Sequence, residues 1–331
     1  MSLQALVSDL QSLILNSIFQ HSCETMPELA DGSVDLTVTS PPYWNAIDYD
    51  AHAQDATLDK AARKNYRPRQ EENYADYLEF LKRVFTETLR VTKPGGHCAL
   101  VIGTVLLNGK HVPVPYHVTT LMEEIGWDFH QDIIWAKVTG GVKRAGATIQ
   151  NPYPGYYYPN LMLEYILLFR KPGEKKMYAG KTKQEKERDA MELDAVFTRD
   201  IANNIWHIAP VPPNQLPHPC PFPEELAYRL IRLFSYTGDL VLDPFAGIGT
   251  TLKVARATNR NYVGYELKKE YIKFANKRVK EDLKLRKQLI ADFVKLEYGE
   301  KMAAKNKGRA PFRKTKKKID SSQLDMFSKN E

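Results

Sequence analysis

The stretch LVLDPFAGIGTT, residues 240–251, decides how the chain folds. Leu240, Val241 and Leu242 make a short apolar run suited to a buried strand, and Asp243 closes it. Gly247 and Gly249 follow in a turn, where the missing Cβ lets backbone approach a ligand closely. The residues after them carry helical spacing, and about twenty positions on a second apolar run, YVGYE (262–266), ends in Glu266. Strand, glycine turn, helix, strand and terminal acid form the β-α-β layout of a nucleotide-type cofactor site, with the acid placed for ribose hydroxyls. A third glycine of the dinucleotide fingerprint is absent, since Thr250 and Thr251 follow Gly249, which suits a cofactor without a pyrophosphate.

Working outward, the segment PFPEELAYRLIRLFS before this unit predicts a helix with Leu226, Leu230, Ile231 and Phe234 on one side. Further upstream, VDLTVT (34–39) predicts a buried strand, 74–92 a helix carrying Tyr77, Leu78, Leu81, Val84, Phe85 and Leu89, and HCALVIG (97–103) a strand entered through Lys93-Pro94-Gly95-Gly96. A helix around 114–125 and strands at 129–137 and 163–171 continue the alternation. The first residues, MSLQALVSDLQSLILNSIF, read as a helix. Alternating helices and strands specify an α/β fold with a doubly wound, mostly parallel sheet. Three polar excursions, 45–73, 138–160 and 172–204, interrupt it and read as decorations on one domain spanning 1–300, with the cofactor region at 218–280.

Of 331 residues, 43% are hydrophobic and 26% charged, and the apolar runs are of strand length, so the chain reads as soluble and without a membrane span. Three cysteines without CxxC spacing, Cys23, Cys98 and Cys220, indicate neither a disulfide framework nor a zinc site and point to the cytoplasm. The net charge of +7 is concentrated at one end. Residues 301–318 hold nine of the 47 Lys and Arg residues and no acid, and the remaining 38 face 40 acids. The segment 301–331 therefore reads as a basic tail, either a solvated end or an aid to binding phosphates, and any further nucleic-acid surface must be a local patch.

The strand 34–39 runs into TSPPYW (39–44), where Pro41 and Pro42 forbid both helix interior and central ladder, leaving a rigid turn with one hydroxyl and two aromatic rings. TSPPYW and DPFAGIGTT together resemble the amino-group DNA methyltransferases that use S-adenosylmethionine. Their order, with TSPPYW first, is similar to the circularly permuted beta class of restriction-modification enzymes, and LADGSVDLTVTSPPYW, VTKPGGHCALVIG, LEYILLFRK and HPCPFPEELAYRLI extend the resemblance over most of 20–280. The resemblance implies a class I methyltransferase sheet and a catalytic motif at Ser40, Pro41, Pro42 and Tyr43. In such a motif Ser40 Oγ and the Pro41 carbonyl accept the two N–H bonds of the base's amine, which aims a delocalised lone pair at the methyl group. Tyr43 stacks on a base flipped out of the duplex. The resemblance further places Asp243, Phe245, Gly247 and Gly249 around the methionine part of the cofactor, Glu266 on the ribose, and His218, Pro219 and Pro223 against the methionyl group from the other side. Where related chains carry Gly-Asp ahead of the first strand motif, this chain has Gln20-His21, so no adenine contact is assigned there.

The resemblance further implies the cytosine N4 amine as target, since serine at the first motif position is commoner among the cytosine enzymes of that family, although adenine N6 presents the same amine beside a ring nitrogen and stays open. Target recognition is expected from the insertions 45–73, 138–160 and 172–204, and foremost from 138–160, with Lys143 and Arg144 for phosphate or guanine and Gln150 and Asn151 for base edges. Duplex DNA is the expected partner, a cognate restriction endonuclease a further one, and Gln323-Leu324-Asp325-Met326-Phe327 resembles the peptide that docks on the bacterial sliding clamp. Two other classes stand beside this one: a DNA-binding protein with a vestigial cofactor fold, and a methyltransferase acting on RNA or a small molecule. No metal is expected, because a sulfonium is already an activated electrophile.

Overall fold

Among the described residues, ten strands and six α-helices follow one another along the chain: β1 (Ser17–Phe19), β2 (Val34–Thr39), α1 (Tyr74–Val91), β3 (Thr92–Ile102), β4 (Val105–Leu107), β5 (Lys110–Val112), α2 (Val114–Ile125), β6 (Asp128–Lys137), β7 (Leu163–Arg170), α3 (Lys183–Asp189), β8 (Ile205–Ile208), α4 (Glu224–Phe234), β9 (Leu240–Asp243), α5 (Thr250–Ala257), β10 (Asn261–Tyr265) and α6 (Lys269–Arg278). The computed structural model describes residues 14–44, 73–107, 110–137, 154, 161–174, 177–194, 196–211, 216, 218 and 221–285. Outside the described residues lie the excursion 45–72, Lys143, Arg144, Gln150 and Asn151 of the recognition segment, Pro219, the basic tail and Gln323–Phe327.

Eight strands form one sheet in the order β1-β10-β9-β2-β3-β7-β6-β8, and β4 with β5 forms a separate hairpin. Within the eight-stranded sheet every neighbouring pair is parallel except those made by β7, which runs antiparallel to both β3 and β6. The sheet is thus doubly wound and mostly parallel, as the alternation of elements predicts. Winding reverses between β9 and β2, where Leu36 lies beside Val241 and Thr37 beside Leu242. That reversal leaves a crevice at the carboxyl ends of two adjacent strands, the place where open α/β sheets bind ligands.

Helices cover both faces. On one, Leu226, Leu230 and Ile231 of α4 join Val241 and Leu252 in the core; on the other, Tyr77, Leu81 and Phe85 of α1 pack with Leu100, Ile102 and Met122. Full burial of each such aliphatic side chain contributes about 1.5–3 kcal/mol. Helix α1 starts at Asn73, whose side chain accepts from the Ala75 N–H, and its apolar positions follow the predicted helical face.

Four features depart from the sequence expectations. Ser17–Phe19 is a strand, not the end of a helix: it adds the edge of the sheet in parallel with β10, Ser17 beside Val263. Strand β3 begins at Thr92, five residues before the predicted start, with a register shift that accommodates the Pro-Gly-Gly segment. Strand β8, absent from the sequence reading, pairs in parallel with β6. The excursion 172–204 carries more than polar decoration. Its Asp189 and Asp200 are buried, Asp200 pairing with Arg229 of α4 at 2.6 Å and Asp189 with Arg260 at 2.9 Å. Arg229 is fully buried and also meets Glu225 and the Trp206 ring, so the segment is fixed to α4 through a buried ion network, although Arg229 Nη2 and Glu225 Oε2 have no hydrogen-bond partner among the described residues.

Candidate functional site

The two motifs, some 200 residues apart in sequence, meet at the switch point. Thr39 Oγ1, the last residue of β2, donates to Asp243 Oδ1 at the end of β9 over 2.6 Å, and the contact is buried. The Phe245 N–H also reaches Asp243 Oδ1 (3.1 Å), while Thr251 Oγ1 of α5 donates to the Val38 carbonyl (3.0 Å). Both strand ends and the glycine loop are therefore locked into one unit. Burial pushes the Asp243 carboxyl up to about 6, against the lowering effect of hydrogen bonds from Thr39 and the Phe245 N–H, and the charge of Glu266 adds to the rise.

Glu266 stands just past the end of β10. One carboxylate oxygen accepts from the Gly247 N–H (2.9 Å) and the other from the Lys268 N–H (2.8 Å), so the acid is held at the glycine loop with lone pairs to spare. Burial raises its pKa, opposed by these backbone donors. Gly247 has φ +50, and a Cβ there would come within 3.1 Å of His218 Nε2. Gly249, at φ +75, caps α5, and its Cβ would press on the Cβ of Ala275 at 2.9 Å. Each position requires the absence of a side chain for a separate reason, one facing the crevice and one facing α6.

A cavity of about 350 Å³ occupies the crevice and draws its lining from both motifs. Ser40, Pro42 and Tyr43 line it from the β2 side, Asp243, Phe245, Gly247 and Glu266 from the glycine loop, and His218 from the segment before α4. Pro41 is buried within the turn, Pro223 caps α4 and is buried, and Gly249 lies behind the loop; none of these three lines the cavity. Several lining residues were not singled out as site residues from sequence. Tyr77 of α1 donates its hydroxyl to the Pro42 carbonyl at 2.9 Å, bracing the proline turn from beneath. Phe80, one turn on, meets the Phe245 ring at 6.0 Å. Tyr271 of α6 faces His218, with ring centroids 5.2 Å apart. At the far end His21, Ser22 and Cys23 complete the wall where no contact was assigned, and His21 is held by Glu28 at 2.8 Å. The helical spacing of Tyr77 signals only a core residue, and nothing local marks His21.

The lining suits an elongated ligand with hydroxyls at the Glu266 end and positive charge near Asp243. A buried acid, Asp243, and a half-buried one, Glu266, both with raised pKa, are costly alone and favourable beside a cation. Among the described residues, no group of three or more His, Cys, Asp or Glu side chains could hold a metal ion, and no helix is long and apolar enough to cross a membrane.

The N6/N4 methyltransferase family model, described as DNA methylase, matches residues 34–277. The type II methyltransferase M.MthZI of Methanothermobacter thermautotrophicus is 31% identical over 296 residues, covering 82% of this chain and 78% of its own length. Among solved structures, the DNA modification methylase TTHA0409 of Thermus thermophilus, complexed with S-adenosyl-L-methionine, superposes with a TM-score of 0.55 at 33% identity, covering 76% of this chain and 88% of that one. The cytosine-N4-specific PvuII DNA methyltransferase shares the fold, with a TM-score of 0.57 at 18% identity over 84% of this chain and 91% of its own.

Proposed function

The chain belongs to the N6/N4 DNA methylase family and is a DNA amino-methyltransferase, and from that premise we propose that it methylates the N4 amine of cytosine within a specific duplex sequence, using S-adenosylmethionine. The observation that supports methyl transfer at this site is the shared cavity, where the proline turn and the glycine loop line one space and are joined by the Thr39–Asp243 hydrogen bond, and the choice of cytosine rests on Ser40 at the head of that turn. When bound, the cofactor supplies a sulfonium-activated methyl group.

In this reading Glu266 holds the ribose hydroxyls, and Asp243, Phe245 and Gly247 surround the methionine part with His218 opposite. Ser40 Oγ and the Pro41 carbonyl accept the amine N–H bonds and turn the nitrogen lone pair toward the methyl group, a gain of orientation and of stabilised developing charge. Tyr43 stacks on the flipped base. Recognition is assigned to 138–160 through Lys143, Arg144, Gln150 and Asn151, within a catalytic domain of residues 1–300. A cognate restriction endonuclease, and a sliding clamp engaging Gln323–Phe327, are the further partners it accommodates.

The test is to express the chain in a host without DNA modification of its own and to sequence the genome by a method that reports modified bases. N4-methylcytosine in one recurrent sequence is the expected result. N6-methyladenine in a recurrent sequence would transfer the proposal to adenine, and an unmodified genome would favour a DNA-binding protein with a vestigial cofactor fold.

A further inference from the structure

Arg278 of α6 is buried, and its guanidinium joins two walls of the cavity. One nitrogen, Nη1, donates to Thr250 Oγ1 at 2.7 Å and to the Ile248 carbonyl at 3.3 Å, and both of these residues line the cavity at the glycine loop. The other, Nη2, donates at 2.9 Å to Glu224 Oε1, at the start of α4 and just past the lining residues His218, Pro221 and Phe222. Glu224 is committed on both oxygens: Oε1 also receives the Lys253 ammonium at 2.8 Å, and Oε2 accepts the Lys284 N–H at 2.8 Å. Helix α6 comes close enough for this because Gly249 has no side chain, since a Cβ there would strike Ala275, one turn before Arg278. The cluster buries two cations around one carboxylate, with the half-exposed Glu281 3.9 Å from Lys253. Well-packed apolar side chains hold elements together at no greater cost, so a buried ion cluster is weak evidence for stability alone and needs another reason. Its place supplies one. The two walls it joins approach each other at His218 Nε2, which would lie 3.1 Å from a Cβ on Gly247.

We propose that Arg278 is a positioning residue for the cofactor, whose guanidinium ties the glycine loop to the segment carrying His218 and thereby sets the spacing of the two walls. The inference rests on S-adenosylmethionine as the occupant of the cavity. Arg278 is not itself part of the lining, so it acts through Thr250 and Ile248. A planar guanidinium suits the task because its donors diverge at fixed angles and hold the loop and Glu224 at one separation, whereas an ammonium is a point charge on a flexible stem. Lys253 and the Lys284 N–H hold the Glu224 carboxylate still from two further sides.

Calorimetric titration with S-adenosylhomocysteine tests this on the full chain and on Arg278→Lys, Thr250→Val, Thr250→Ser and the Arg278→Lys/Thr250→Val double variant, with thermal melting of each ligand-free protein. Arg278→Lys and Thr250→Val are each expected to weaken binding about tenfold, since each breaks the same link. Thr250→Ser, which restores the hydroxyl, should recover most of that loss. The double variant should lose about tenfold and not about a hundredfold, because the link can be broken only once. Losses that multiply in the double variant would overturn the proposal by showing that Thr250 acts on the ligand without Arg278. So would wild-type affinity in Arg278→Lys, or binding by Thr250→Ser as weak as by Thr250→Val. If Arg278→Lys does not fold at the titration temperature, Glu224→Gln takes its place in the same cycle, since it loosens the other anchor of the guanidinium, and the same non-additivity is expected. A wild-type chain that does not bind S-adenosylhomocysteine overturns the cofactor reading and this inference with it. The expected pattern in a chain that leaves DNA unmodified keeps Arg278 assigned and sinks only the methylation reading.

Discussion

At the scale of single residues, Asp243 shows how the site works against the fold. Its carboxyl titrates near 6 in the folded protein against an ordinary value of 3.8. The folded state therefore binds the proton more tightly, and the stabilisation this gives is complete below about pH 4 and disappears as pH rises through 6. At pH 8 the buried charge costs about 3 kcal/mol, from the difference between those two values. Asp243→Asn, whose amide oxygen can still accept from Thr39 and the Phe245 N–H, should raise the melting temperature of the ligand-free protein by several degrees at pH 8. The gain should vanish near pH 4, while cofactor binding falls at least a hundredfold. Melting curves across that range, read beside a titration with S-adenosylhomocysteine, check both signs. Tyr77 makes the complementary case on the other side of the cavity. Tyr77→Phe leaves the Pro42 carbonyl without its 2.9 Å donor, and the single-turnover rate of methyl transfer should fall about tenfold, with affinity for cofactor within twofold of wild type. In the proposed mechanism Ser40 Oγ accepts from the amine directly, so Ser40→Ala should lower the rate about a hundredfold in the same assay.

At the scale of elements, the sequence was most legible where one physical requirement dominated. Strand β2 has the predicted bounds because Val34, Leu36 and Val38 are fully buried in the sheet centre and Pro41-Pro42 stop it. The glycine loop was legible because both of its glycines answer to sterics, and Gly249→Ala should lower unfolding stability by about 1–3 kcal/mol through its positive φ and the clash with Ala275, as urea titration would measure. Strand β1 was misread because it is three residues long and only half-buried, so its alternation is too short to outweigh the helical spacing before it. Strand β8 has four residues in a polar neighbourhood and declares itself only through pairing with β6. In the site, the motifs showed Ser40, Asp243 and Glu266, because their chemistry is tied to strand ends. Tyr77, Tyr271 and His21 stayed hidden because what brings them to the cavity is the direction in which a helix or loop faces, which spacing does not record.

At the scale of the whole molecule, two long-range ties decide what holds together. The first is the Asp200–Arg229 pair, fully buried, which fastens the segment before β8 to α4. Asp200→Ala would leave the buried Arg229 with Glu225 as its remaining carboxylate partner and take the acceptor from the His207 N–H, and a loss of about 3 kcal/mol in unfolding free energy is expected. Denaturant titration compared with the Asp200→Leu/Arg229→Met/Glu225→Leu triple variant separates the broken ion network from the packing it fills, since replacing all three charges should recover most of the loss. The second tie is the hydrogen bond between Thr39 and Asp243, partners 204 positions apart. A ribosome adding about 5–20 residues each second completes β2 about 10–40 s before it makes the strand that will lie beside it. During that interval the proline turn is already synthesised while one flank of its strand has no neighbour, so the nascent protein presents an apolar ribbon to whatever chaperone waits at the tunnel exit. Slowing translation between codons 45 and 240 should therefore increase chaperone occupancy and insoluble product, whereas the same delay imposed after codon 285 should do neither.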